Sequence, residues 1–273
     1  MKKKWIYNIL IGVFAAVFLV SGGLLANYFI EGRQQQERYD DLSDNRPTVT
    51  PRPTVGEEPV GTEEPTAPQL VEVTDPETGE TVSLLPEFAD LYVKNNDIVG
   101  WLTVPGTKID YPVMQSQEDP DYYLYRNFEK RDSQRGCLYT WPVCDVFTPS
   151  DNITIYGHHM RDKSMFAQLE LFRKADFRNE NPYIFFDTLK ELHTYEIIAV
   201  FVTTASVGEG FTYHSFVDAK DEKAFNSFVS QCKKLALYDT GVSAQYGDKL
   251  ICLSTCEYSR VNGRLVVVAK RIA

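Results

Sequence analysis

The rhythm of apolar and polar positions changes three times along the chain. From Trp5 to Ile30 no residue is charged and apolar side chains fall on every face of a helix, directly after Lys2-Lys3-Lys4. At roughly 1.5 Å per residue this run makes about 39 Å of helix, enough to cross a hydrocarbon core of about 30 Å with some tilt. A cleaved secretory signal needs an apolar region of only about 7–15 residues, so the pattern predicts a retained membrane span over residues 1–30. The lysines on its amino side are expected to stay cytoplasmic, which puts everything after Glu31 outside the membrane.

Residues 31–83 then lose nearly all large apolar side chains. Pro47, Pro51, Pro53, Pro59, Pro65 and Pro68 alternate with Thr48, Thr50, Thr54, Thr62 and Thr66. Such a segment buries too little surface to offset its chain entropy, and the expectation is a disordered extracytoplasmic linker stiffened by proline.

From residue 84 to 273 short runs rich in β-branched and aromatic residues are separated by Pro, Gly, Asn and Asp. The predicted strands are 101–104, 109–113, 136–139, 152–156, 183–187, 193–204, 249–255 and 264–271. Eight strands without regularly alternating helices argue for a mainly β domain closed into a barrel. Helical spacing appears at 86–95, at 164–174 and most clearly at 221–238. There Phe225, Phe228, Val229, Cys232 and Leu235 share a face and Lys233 and Lys234 sit near the end.

Composition narrows the function classes. The net charge of -10 argues against a surface that neutralises nucleic-acid phosphates. The five cysteines form no CxxC pair, so no zinc ribbon is written and at least one thiol must stay unpaired within the monomer. No phosphate-binding glycine loop appears, and no cofactor or metal is expected.

The chemistry-bearing residues gather at strand ends. Cys256 follows the apolar run Leu250–Thr255, where a rigid scaffold can present a nucleophile. Alternation places Cys252, Ser254 and Cys256 on one face. His158 and His159 follow the strand 152–156 through Gly157, and a Cys and a His at two strand ends can face one another across a barrel mouth. Arg264 opens an apolar strand eight residues after Cys256, and a hairpin would return its guanidinium toward the thiol to stabilise an oxyanion. Each has a plainer reading, as packing, a surface charge or an exposed pair.

Leu253-Ser254-Thr255-Cys256 resembles the sortase signature TLxTC, with Cys252 where that signature carries threonine. Ile155–Met160 resembles the histidine segment of class B sortases, and Arg264–Lys270 resembles their arginine strand. Further similarity lies in 97–102, 109–115, Tyr123-Leu124 with Asn127-Phe128, and 164–166. The resemblance covers nearly all of 84–273. It implies an eight-stranded barrel with an amino-terminal helix and a long helix between strands six and seven, in a membrane-anchored cysteine transpeptidase of Gram-positive bacteria.

Carried over by position, Cys256 is the nucleophile, His158 the acid–base and Arg264 the oxyanion holder, with His158 preferred to His159 because the family histidine directly follows the glycine. Tyr156, Ser254, Glu257, Leu124 and Tyr213 would line the peptide groove. The implied partners are sorting-signal peptides of an NPQTN-like type, cut after threonine, and a cell-wall amine. The competing readings are a pilin polymerase using a lysine acceptor, a hydrolytic cysteine protease and a non-enzymatic surface-binding module.

Overall fold

The computed structural model describes residues 2–44, 69–76, 78–206 and 208–273. Its first unit is dominated by a single helix, α1 (Lys2–Asp44), long and apolar enough to cross a membrane. The helix runs past the expected boundary at Ile30 because polar residues four apart support one another. Asn27 donates to Glu31, Arg33 pairs with Glu37 at 3.0 Å, and Gln36 donates to Asp40. Most of the Pro/Thr-rich linker reading falls at 45–68, outside the described residues.

A second departure lies at the other end of that interval. Strands β1 (Val71–Thr74) and β2 (Thr81–Leu84) pair antiparallel, so the linker expectation fails for residues 71–83. Val71, Val73 and Val82 supply β-branched residues in alternation, and the turn closes through Gly79 at φ 73° donating to the Asp75 carbonyl. A two-stranded hairpin needs few large side chains.

Eight further strands close into a barrel in the order β10-β8-β7-β3-β4-β5-β6-β9. They are β3 (Ile98–Val104), β4 (Ile109–Met114), β5 (Leu138–Thr140), β6 (Asn152–Tyr156), β7 (Tyr183–Thr188), β8 (Thr194–Thr204), β9 (Leu250–Glu257) and β10 (Gly263–Arg271). Each predicted strand is present within a few residues of its expected bounds. Closure leaves the barrel without free edges. Two pairings are parallel, β4 with β5 and β6 with β9, and the second decides the site.

The helices follow the pattern unevenly. Residues 86–88 form a 3₁₀ turn leading into α2 (Ala89–Lys94). The predicted α-helix at 164–174 is instead a 3₁₀ segment, Phe166–Arg173, followed by the short α3 (Ala175–Glu180). Its aromatic face is real: Phe166, Leu169 and Phe172 are buried, and their three-residue spacing eclipses on a 3₁₀ turn as well as it shares an α-helical face. The α4 helix (Glu222–Leu235) is capped by Asp221, whose side chain accepts from the Ala224 amide at 2.8 Å. It ends earlier than Tyr238 because the chain joins β8, with Leu237 donating to the Val200 carbonyl. As the sixth and seventh barrel strands, β8 and β9 flank α4.

The cover that α4 provides explains the unbroken apolar runs of β9 and β10. Phe225, Phe228, Val229 and Cys232 pack with Leu250, Cys252, Val266 and Val268 in one buried cluster. Both faces of these strands are therefore buried, and alternation is hidden from the sequence. Where that cover ends, the same face of β9 continues to Ser254 and Cys256.

Candidate active site

Register brings three strand positions together. On β9 and β10, Cys256 is the direct cross-strand partner of Arg264. On the other side, β6 runs parallel to β9 with Tyr156 opposite Ser254. Two residues beyond each, His158 and Cys256 leave neighbouring strand ends at the same level. Hydrogen bonds fix the join: the Gly157 amide donates to the Ser254 carbonyl at 3.2 Å, the Thr255 hydroxyl to the Gly157 carbonyl at 2.8 Å, and His159 Nδ1 to the Cys256 carbonyl at 3.0 Å.

Gly157 is required by space. A Cβ there would stand 2.5 Å from Leu138 Cδ2 and 2.8 Å from the Phe166 ring. The residues after it are thus held close against the barrel.

His158 is held by its far nitrogen. Nε2 lies 2.8 Å from the Leu124 carbonyl, which can only accept, so Nε2 carries the proton and Nδ1 is the basic nitrogen of the neutral ring. Tyr125 lies against the imidazole at 5.6 Å between ring centroids. Burial lowers the His158 pKa below 6.5, opposed by the hydrogen bond to Leu124. The ring is therefore held neutral at pH 7.

Cys256 is half-buried, whereas Cys137, Cys144, Cys232 and Cys252 are buried; none of the five forms a disulfide. The Cys137–Cys144 pairing left open by the sequence is thus not formed. Burial pushes the Cys144, Cys232 and Cys252 thiols upward, which makes them poor nucleophiles. Arg264 donates to the carbonyls of Asn262 and Gly263. Both bonds are to its own turn.

An aromatic wall stands next to these groups. Tyr156 lies between Tyr139 and Trp141, at 5.4 and 5.2 Å between ring centroids, and Trp141 meets His214 edge-on at 6.1 Å. Tyr139 and Trp141 both donate to one Asp121 oxygen, at 3.2 and 3.1 Å. Tyr213 is bonded to the Ser254 hydroxyl at 2.5 Å. Burial raises the Tyr213 pKa to about 12 against the hydrogen bond to Ser254 and the nearby Arg264 charge. Burial also lowers His214, and Arg264 adds to that effect. The hydroxyl of Tyr156 is buried without a hydrogen-bond partner.

Of the groove residues named from sequence, Tyr156, Ser254 and Tyr213 meet in this wall. Leu124 contributes a backbone carbonyl to His158. Glu257 is elsewhere. Alternation turns it away from Cys256, and its carboxylate accepts from Arg173 at 3.1 Å and from the Ser259 hydroxyl at 2.8 Å. Burial alone would raise that carboxyl, but Ser259 and Arg173 outweigh it and hold the group below its ordinary range. Tyr139, Trp141, Asp121 and His214 escaped the sequence reading, since β5 has three residues and its partner on β6 is remote in the chain.

Comparison with known proteins agrees with this arrangement. A sequence model of the Sortase domain matches residues 102–272. Sortase B of Listeria monocytogenes is 32% identical over 189 residues, covering 68% of this chain and 74% of that protein. Sortase B of Staphylococcus aureus is 30% identical over 191 residues, covering 68% and 75%. Among solved structures, a Staphylococcus aureus sortase B–substrate complex is similar with a TM-score of 0.63 at 30% identity, covering 69% of this chain and 86% of that one. Sortase B from B. anthracis is similar with a TM-score of 0.69 at 27% identity, covering 89% and 99%.

Proposed function

The chain belongs to the class B sortases, cysteine transpeptidases, and on that premise we propose that it cuts a carboxy-terminal sorting signal of NPQTN-like type after threonine and joins the surface protein to a cell-wall amine. The observation that carries the reading is the placement of His158, Cys256 and Arg264 at one level on the adjacent strand ends of β6, β9 and β10.

In this reaction Cys256 Sγ attacks the threonine carbonyl carbon as His158 Nδ1 takes the thiol proton. Arg264 donates to the oxygen as it gains charge. Collapse of the tetrahedral intermediate breaks the C–N bond, and His158 returns the proton to the departing amine. The thioester is then attacked by the incoming amine: a C–N bond forms, the C–S bond breaks, and His158 passes the amine proton back to sulfur. Arg264 suits the oxyanion because a guanidinium keeps its charge and presents a fixed fork of donors. The aromatic wall is the surface against which the signal peptide is laid, as rigid rings bind a chain at low entropic cost.

The amino-terminal helix anchors the enzyme with Lys2, Lys3 and Lys4 in the cytoplasm and the barrel outside. The test is incubation of the full chain in detergent with an NPQTN donor peptide and an amine, read by mass spectrometry. Cleavage after threonine with the amine attached, absent in Cys256→Ala, is expected. An intact donor, or equal product from Cys256→Ala, would overturn the proposal.

A further inference from the structure

A cavity lined by chain neighbours of His158 and Cys256 shares no residue with the aromatic wall. Its volume is about 600 Å³, and its walls include His159, Met160, Arg161, Lys163, Glu170 and Tyr258. It touches the reaction centre through the backbone: His159 follows His158 and donates to the carbonyl of Cys256, and Tyr258, two residues beyond Cys256, donates to the His159 carbonyl at 3.2 Å.

The charges around this cavity are unevenly matched. Asp162, between the two cations of the rim, is claimed by the buried Arg135 at 2.5 Å and by the Ser164 hydroxyl at 2.7 Å. Glu170 is paired with Arg173, which also holds Glu257. Asp162 is thereby matched by its own arginine, whereas Glu170 shares one with Glu257. Arg161 and Lys163 are exposed and make no ion pair among the described residues. The loop is shaped to present them: Lys163 and Met165 take left-handed φ values of 66° and 53°, and the Lys163 amide donates to the Met160 carbonyl. On a chain of net charge -10, two cations without an ion-pair partner among the described residues on one cavity rim, against the single half-matched Glu170, favour an anion.

We propose that this cavity is the acceptor site, and that Arg161 and Lys163 select amine acceptors that carry carboxylate groups. The inference rests on the transpeptidase reading, which needs an amine delivered to the thioester beside His158. A peptide acceptor held by its carboxylates on Arg161 and Lys163 places its amino group on the His159 side of Cys256, while the wall of Tyr139, Trp141 and Tyr156 holds the acyl donor. Two substrates then occupy separate sides of one thioester. The amine nitrogen attacks the thioester carbon, its proton passes through His158 to the released sulfur, and no further reactant is needed.

The test compares two acceptors with the same nucleophilic glycine amine, Gly-Glu and the uncharged Gly-Gln amide, offered together to the full chain in detergent with an NPQTN donor. The product ratio divides out any change in acylation. An excess of Gly-Glu product of about tenfold is expected, falling to near parity in Arg161→Gln/Lys163→Gln and in high salt. Ligand-observed saturation-transfer NMR on Cys256→Ala measures the same preference without turnover. Equal use and equal binding of the two peptides, or a preference unchanged in the double variant, would overturn the acceptor site. Preferential Gly-Glu binding lost in the double variant, with no transfer to any amine, would overturn the transpeptidase role instead and keep the carboxylate site.

Discussion

Cys256 and Arg264 stand directly opposite each other on the antiparallel pair β9–β10, each half-buried. Cross-strand partners keep their Cβ atoms about 4.5–5.5 Å apart, so Arg264 is brought to the level of Cys256 by strand register rather than by a flexible loop. Arg264→Ala is expected to lower kcat/KM by roughly 10²–10³, the loss usual for an oxyanion donor, with the thermal midpoint little changed. Arg264→Lys keeps the charge but not the planar fork and should restore only part of the rate. Steady-state kinetics with a donor peptide decide this, and a fully active Arg264→Ala would remove the residue from the mechanism.

Gly157 gives the second prediction. An alanine Cβ at that position meets Leu138 and Phe166 at 2.5 and 2.8 Å, inside van der Waals contact. Either the barrel wall yields or the strand end lifts, taking His158 with it. Gly157→Ala should destabilise the domain by about 1–3 kcal/mol. Displacement of His158 by about 1 Å would cost roughly 10²-fold in rate. Denaturant unfolding and kcat/KM on the same preparation separate the two effects.

The barrel was readable because its strands are bounded by turn residues and carry β-branched side chains. The adjacency of Cys256, His158 and Arg264 was readable only as strand ends. Their common level follows from the parallel pairing of β6 with β9, a contact between residues about a hundred positions apart that no local pattern encodes. Glu257 shows the opposite failure: motif position suggested the groove, while period-two alternation had already turned it toward Arg173. In the 164–174 segment spacing by three fits both helix types over so short a stretch, so a 3₁₀ turn and an α-helix share one sequence pattern. The hairpin at 71–84 was hidden by the proline-rich composition before it, although Val71, Val73 and Val82 alternate as a strand pair should.

Thiol reactivity should be confined to one residue. With Cys256 half-buried and the other four cysteines buried, iodoacetamide is expected to label the folded protein once, at Cys256, and all five sites only after unfolding. Cys232 is fully buried on the barrel-facing side of α4, within the cluster shared with Cys252 and Val266. Cys232→Ala should therefore cost stability, about 1–2 kcal/mol for a small cavity, and leave labelling and turnover intact. Peptide mapping after alkylation checks the first statement and thermal unfolding the second.

Stability should fall on the acid side in two steps. His158 and His214 have folded-state values below 6.5, both lowered first by burial. The unfolded chain therefore binds these protons more readily, and stability present above pH 6.5 is lost as pH falls through the lower folded values. Asp162 and Glu257 are also held below their ordinary values, their hydrogen bonds and arginine partners outweighing burial. Their contribution is present above the ordinary carboxylate range and is lost as pH falls below it. In the proposed mechanism neutral His158 accepts the thiol proton, so the acid limb of kcat/KM should lie below pH 6.5. A limb above 6.5, or one unchanged when His214 is replaced by Gln and His158 retained but shifted upward by NMR, would contradict this ordering.

Asp121 is the least conspicuous residue with a predicted effect on binding. It is exposed and touches neither Cys256 nor His158 in any hydrogen bond, yet one of its oxygens accepts from both the Tyr139 hydroxyl and the Trp141 indole. Tyr139 is buried and held by packing, whereas Trp141 is only half-buried and leans on Tyr156 at 5.2 Å. Losing Asp121 should free the Trp141 ring more than the Tyr139 ring. A looser wall raises the ordering cost of peptide binding without touching the reacting atoms. Asp121→Ala is therefore expected to raise KM for the donor peptide several-fold with kcat nearly unchanged, since two neutral-donor hydrogen bonds at an exposed carboxylate contribute modestly. Asp121→Asn keeps an oxygen acceptor and should recover most of the affinity. A purely structural role would lower the thermal midpoint and kcat together, and would not be rescued selectively in KM.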